Sequence, residues 1–179
     1  MPNWCYNSVT ISNEDKTKID ALEQELLKEE KQPLNHLCPR PADQEENWYD
    51  WNVNNWGTKW DVNPYDWQRE DDNTISMNFD SAWSPPTTIY EYLVSEGWDV
   101  RAYYQEEGMG FIGKFEDGED FYYEYDITSL SSIEELPEDL VDFADLMTRH
   151  EDWIAENEED ENDEPFDPIA ELDKLTITK

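Results

Sequence analysis

The stretch Asn73-Thr-Ile-Ser-Met-Asn-Phe79, running on into Asp80-Ser-Ala-Trp-Ser-Pro-Pro86, decides the fold. Ile75, Met77 and Phe79 alternate with polar residues, the pattern of a half-buried strand. Ser84 is placed to cap a helix, with Pro85 in the first helical position where its missing N–H costs nothing. Ile89, Tyr92 and Leu93 would form that helix's apolar face, and Gly97 its C-terminal stop.

Upstream, the alternation of Tyr6 to Ile11 predicts a strand over Cys5–Ser12. Ser12 or Asn13 can cap the next element, and Glu14 and Asp15 suit a helix N-terminus. Ile19, Leu22, Leu26 and Leu27 recur at helical spacing as far as about Glu30, and Pro33 ends the run. Downstream, Asp99–Gln105 and Gly110–Phe115 read as strands around a Glu-Glu-Gly-Met-Gly turn. Asp117-Gly118 marks another turn, and Phe121–Ile127 a last strand. The resulting β-α-β-α order, followed by sequential strands, predicts an α+β fold, an antiparallel sheet with helices on one face, over residues 1–130.

Between the first helix and the second strand lies Asn47-Trp-Tyr-Asp-Trp-Asn-Val-Asn-Asn-Trp-Gly-Thr-Lys-Trp-Asp-Val-Asn-Pro-Tyr-Asp-Trp67. No clean period runs through it, and Asn, Gly and Pro interrupt it, so residues 40–70 read as a long, Trp-rich structured loop. Its indoles are either a satellite core or a recognition surface. Trp4, Trp56, Trp60 and Trp83 are expected to pack with Val9, Leu22, Ile75 and Phe111, leaving Trp48 and Trp51 as candidate partner contacts.

The chain has 179 residues and a formal net charge of −34, from 46 acidic and 12 basic side chains. An aromatic content of 14% nonetheless supports a folded core. Phosphates would be repelled, so bare nucleic acid is excluded as a default ligand and a basic partner is favoured; solubility or life in high salt is the plainer explanation of the charge. No apolar run approaches the length of a membrane span. The opening residues have neither a positive region nor an apolar signal core. Cys5 and Cys38, without repeated spacing, suit a reducing compartment, and the expected location is the cytoplasm of a host cell.

Beyond residue 130 the composition changes, and residues 131–179 read as an acidic, partly helical extension. Leu136, Leu140, Phe143, Leu146 and Met147 suggest a third helix. Between Glu134 and Asp173 acids recur with Arg149 as the single base. Glu156–Glu164 has the composition of a solvated tail, although Trp153 and Phe166 leave room for docking.

Several motifs together carry a family resemblance. Met1-Pro-Asn-Trp-Cys-Tyr-Asn7, Leu37-Cys-Pro-Arg-Pro41, Trp48-Tyr-Asp-Trp51, Asn55-Trp-Gly-Thr-Lys-Trp-Asp61 and Ala82-Trp-Ser-Pro-Pro86 resemble, in order, the YubB ferredoxin-like domain family of phages, prophages and plasmids. The resemblance covers roughly residues 1–127 and implies a ferredoxin-like sandwich. It implies no activity, and the acidic extension departs from it.

Catalytic signatures are sparse. His36 and Cys38 with Cys5 could supply three metal ligands, but their spacing is not that of a zinc site, and a buried thiol with a surface histidine is the simpler reading. Neither a nucleophile elbow nor a phosphate loop is present, and no cofactor is expected. One enzymatic alternative is Pro2, whose amine could act as a base if Met1 were removed. A small-molecule or peptide module built on the aromatic loop is a second alternative.

The leading expectation is an acidic interaction protein of a mobile element that binds a basic surface on a host protein. It could do so as a mimic of nucleic acid directed at a defence protein. Duplex DNA carries one charge per about 1.7 Å, and a helix rises about 1.5 Å per residue, so closely spaced acids approach that density. Glu134, Glu135, Glu138, Asp139, Asp142 and Asp145 have such spacing. Asp152, Glu156, Glu158, Glu159 and Asp160 would prolong the stripe.

Overall fold

A computed structural model describes residues 3–161 of the chain. The elements in order are β1 (Trp4–Ser12), α1 (Lys16–Leu26), α2 (Pro33–Leu37), α3 (Trp48–Trp56), β2 (Asp66–Arg69), β3 (Thr74–Ala82), α4 (Thr87–Ser95), β4 (Asp99–Glu106), β5 (Phe111–Glu116), β6 (Glu119–Glu124), α5 (Leu130–Glu134), α6 (Glu138–Phe143) and α7 (Leu146–Glu161). The strands form one six-stranded antiparallel sheet in the order β2-β3-β1-β4-β5-β6. This is a ferredoxin-like α+β fold. β1-α1-β2 and β3-α4-β4 are split β-α-β units, each with a strand of the other between its own two.

β2 is the strand that sequence periodicity misses. Asp66-Trp-Gln-Arg69 is short, lies at the sheet edge and buries no side chain fully. Its main-chain pairing with Asn78, Met77, Ser76 and Ile75 supplies the order that apolar alternation would otherwise signal.

One face of the sheet carries Val9, Ile11, Ile75, Met77, Phe79, Val100, Ala102 and Phe115. Against it pack Ile19, Leu22 and Leu26 of α1 and Ile89, Tyr90 and Leu93 of α4. Asp15 caps α1 by accepting the Thr17 N–H, the role expected of Ser12 or Asn13. Helix α4 begins two residues later than the sequence suggests. The hydroxyl of Ser84 donates to the carbonyl of Gly57 instead of capping the helix, which tethers the Trp-rich segment to the β3–α4 turn.

The Trp-rich segment is a helix followed by an extended run, not a loop throughout. Trp48, Trp51, Asn52, Asn55 and Trp56 recur at three- and four-residue steps, and Gly57 at φ 83° ends α3 in the left-handed conformation. The buried Asn52 accepts from Arg40 at 2.9 Å and donates to the Lys59 carbonyl at 2.9 Å. Trp56 enters the core, its indole N–H donating to the Cys38 carbonyl at 2.9 Å.

Three expectations about the core are corrected. Trp4 (51% exposed), Trp60 (39%) and Trp83 (50%) lie at the surface, and of the four indoles assigned to the core only Trp56 is there. Phe111 is buried, but in a separate cluster with Cys5 and Tyr104 and not with Val9, Leu22 and Ile75. The third helix expected over Leu136 to Met147 is divided between α6 and the start of α7, and a further helix, α5, precedes it. Pro137 separates α5 from α6, and Asp145, at φ 50°, turns the chain between α6 and α7.

Those helices lie on the second face of the sheet. Ile133, Leu140 and Leu146 close over Ile112, flanked by Tyr103, Tyr123, Tyr125 and Phe143. His150 of α7 is buried, with Nδ1 2.6 Å from the Ile127 carbonyl. They cover only the β4–β6 half. Toward β2, the same face displays Ser8, Thr10, Asn78, Asp80, Asp66 and Gln68, none of them buried.

Candidate partner-binding surface

Strand alternation builds the site. Val9 and Ile11 point to the α1/α4 side, so Trp4 and Tyr6 point to the other. Trp60 lies against Trp4 with ring centroids 6.2 Å apart, and Phe143 of α6 stacks on Tyr6 at 5.8 Å. The exposed indoles and the acid-bearing α6 therefore sit along one strand. Asp80 pairs with Tyr6 across β1 and β3, and Tyr65 is tied in by its N–H to the Asn78 carbonyl. Asp80 and Tyr65 are both exposed.

Trp83 follows directly after β3, beside the start of β1. Its neighbour Ala82 pairs with Trp4, and its own N–H donates to the Asn3 carbonyl at 3.0 Å. It holds φ at 74°, a region a bulky residue enters only under constraint. Thr58 fixes the approach from the other side through bonds to both the N–H and the carbonyl of Ala82.

The run after Trp60 is clamped. Asp61 accepts N–H bonds from Leu34 (2.9 Å), Asn35 (2.8 Å) and Val62 (2.8 Å), joining it to the start of α2. Burial pushes its carboxyl up to about 6, outweighing the pull of the three donors. An unfolded Asp titrates near 4, so between those values the native state holds a proton that the unfolded chain has lost. Stability arising from Asp61 should therefore increase as pH falls through 6 and level off below 4. Urea titrations from pH 7 to 4.5 should show wild type gaining on Asp61→Asn. A difference independent of pH would mean that the three donors keep the carboxylate ionised.

The acidic residues proposed for partner binding fall into two groups. Glu134, Glu135, Glu138, Asp142, Asp145, Asp152 and Glu156 are exposed. Asp139 is turned to the sheet, bonded to Lys114 at 2.5 Å and to the Tyr103 hydroxyl at 3.2 Å. The Lys114 ammonium holds its carboxyl below the usual range. It fastens α6 to β5. Breaks at Pro137 and Asp145 prevent one uninterrupted helical stripe, and the side chains of Glu158, Glu159 and Asp160 lie outside the described residues, as do Pro2 and Phe166.

Of the other candidates, Trp51 packs edge-on against Trp56 at 5.6 Å and touches the main core, while Trp48 stands edge-on to Tyr49 at 5.9 Å. Both belong to α3, and Trp48 is linked to Trp60 through Tyr49, whose ring shares Lys59 with it. Cys5 and Cys38 are free thiols in different surroundings, Cys5 beside Tyr104 and Phe111 and Cys38 against the main core. Among the described residues no helix is long and apolar enough to cross a membrane. Strand alternation could have placed Trp4 on this surface from the sequence. For Trp60 and Trp83 the sequence holds no such signal.

The sheet order and the split β-α-β units define a ferredoxin-like domain. Residues 59–144 match the family model described as the ferredoxin-like domain in Api92-like protein, a span from Lys59 to the end of α6. No curated protein matches the sequence. A solved structure, that of protein api92 from Yersinia pseudotuberculosis, is 22% identical with a TM-score of 0.40. The match covers 52% of this chain and 39% of that one, so the chain spans well under half the length of that protein.

Proposed function

We propose that the protein is a non-catalytic binding protein whose acidic, indole-bearing face docks on a basic surface of another protein, in the manner of a nucleic-acid mimic. The YubB resemblance supplies the setting, a mobile element acting in a host cell, and makes a nucleic-acid-binding defence protein the natural target. One observation carries the reading: Trp4 and Trp60 are exposed on the side of the sheet where α6 stacks Phe143 on Tyr6 and leaves the neighbouring Asp142 exposed. Interfaces draw most of their energy from a few buried aromatic anchors, and surrounding acids accelerate encounter with a basic partner.

The test is binding to purified host restriction enzymes and nucleases, in competition with duplex DNA and across salt concentrations. A variant carrying Glu134→Gln, Glu135→Gln, Glu138→Gln, Asp142→Asn, Asp145→Asn, Asp152→Asn and Glu156→Gln keeps Asp139, and with it the anchor to Lys114. At about 0.4 kcal/mol for each of these exposed charges, affinity should fall roughly hundredfold. Binding that ignores both salt and these substitutions would refute the reading.

A further inference from the structure

We propose that the exposed indoles of Trp4, Trp60 and Trp83 receive arginine guanidinium groups of the basic partner, and that at Trp60 this place is occupied by Lys59 in the free protein. The proposal rests on the functional reading above and specifies the chemistry of its contact. Lys59 Nζ lies 4.3 Å from the centroid of the Trp60 ring and 5.7 Å from that of Tyr49. The chain's own cation thus already uses this aromatic surface. A ring face attracts cations, and guanidinium is the better guest because it is planar, can stack and is less strongly hydrated than ammonium. Indole stacking alone would also suit single-stranded nucleic acid, but such sites run along a basic groove. Here Asp66 and Asp80 are exposed on the same side of the sheet and the net charge is −34.

Backbone conformation is an independent support. A half-exposed tryptophan at φ 74° bears a strain that glycine would not, and half of its surface stays in water. Strain of this kind persists where the side chain is needed for something other than the fold.

Two synthetic decapeptides serve as probes, one alternating arginine with glycine and the other lysine with glycine, each titrated calorimetrically into the full chain. The arginine peptide should bind roughly tenfold tighter than the lysine peptide, since guanidinium stacks on the ring and sheds its water more readily. Trp60→Ala and Trp83→Gly should each shrink that ratio toward one while leaving salt-dependent binding of both peptides. Lys59→Gln should widen it by clearing the platform. Trp83→Gly should melt only slightly below wild type and stay folded at the titration temperature, so its loss of discrimination cannot be assigned to unfolding. Equal affinity of wild type for the two peptides overturns the arginine site but leaves the acidic reading standing, as does a ratio unchanged in both indole variants. A Trp83→Gly protein that melts well below wild type overturns it too, because the indole would then serve the fold. Failure of either peptide to bind at low salt overturns both readings.

Discussion

Replacing Trp56 with alanine should cost about 3–5 kcal/mol of stability, as for other large core aromatics. The side chain is 2% exposed, and its N–H is satisfied by the Cys38 carbonyl. Truncation therefore leaves a cavity beside Trp51 and orphans a buried acceptor. The same change at Trp60, which is 39% exposed, should cost less, about 2 kcal/mol, since more than a third of its surface stays in water on folding. Urea denaturation of the two variants separates a core role from a surface role. Equal losses would place the whole Trp-rich segment in one layer and contradict the exposed platform.

Gly113→Ala should be comparably damaging, at about 3 kcal/mol or more. A Cβ at this point of β5 would overlap the Tyr104 ring and hydroxyl and the Phe121 carbonyl. Tyr104 cannot easily yield, because it is fully buried and donates to Asp120 at 2.7 Å. The Phe121 carbonyl belongs to β6, so relief would have to separate the two strands. Gly97→Ala is the contrasting case, with φ 82° but nothing within 4 Å of the new atom. It should lose only the backbone term, about 1 kcal/mol. A similar, small loss in both variants would show that β5 and β6 can part cheaply.

What the sequence made legible follows from which forces leave a local trace. Apolar alternation located β1 and β3, turn residues located β4, β5 and β6, and helical spacing located α1 and α4, because each leaves a local trace in the residues themselves. β2 left no trace, since its order comes from hydrogen bonds to β3 and not from its own side chains. Helix α3 was hidden by Asn and Asp, poor helix formers in isolation, which tertiary bonds such as Arg40–Asn52 offset. The candidate site was read with the right residue types in the wrong places. Indole content suggested burial for Trp4, although its parity with Val9 places it on the opposite side of the strand. Among the acids of the extension, Asp139 could not be told from Asp142 without knowing that Lys114 lies beneath it.

The central position of β1 has a consequence for the order of assembly. Its neighbours β3 and β4 begin at Thr74 and Asp99, so during synthesis the first strand made keeps both edges unpaired while a long span of chain emerges. Closing such distant pairings carries a chain-entropy cost that local helices do not bear, which slows nucleation. Over that interval Trp56 has neither Ile75 nor Leu93 to pack against, and apolar surface stays open to neighbouring chains. A surplus of carboxylates spread along the whole polypeptide repels those neighbours before any tertiary structure exists. The charge proposed to equip the finished surface for a basic partner would thereby also shield the unfinished chain from its own kind.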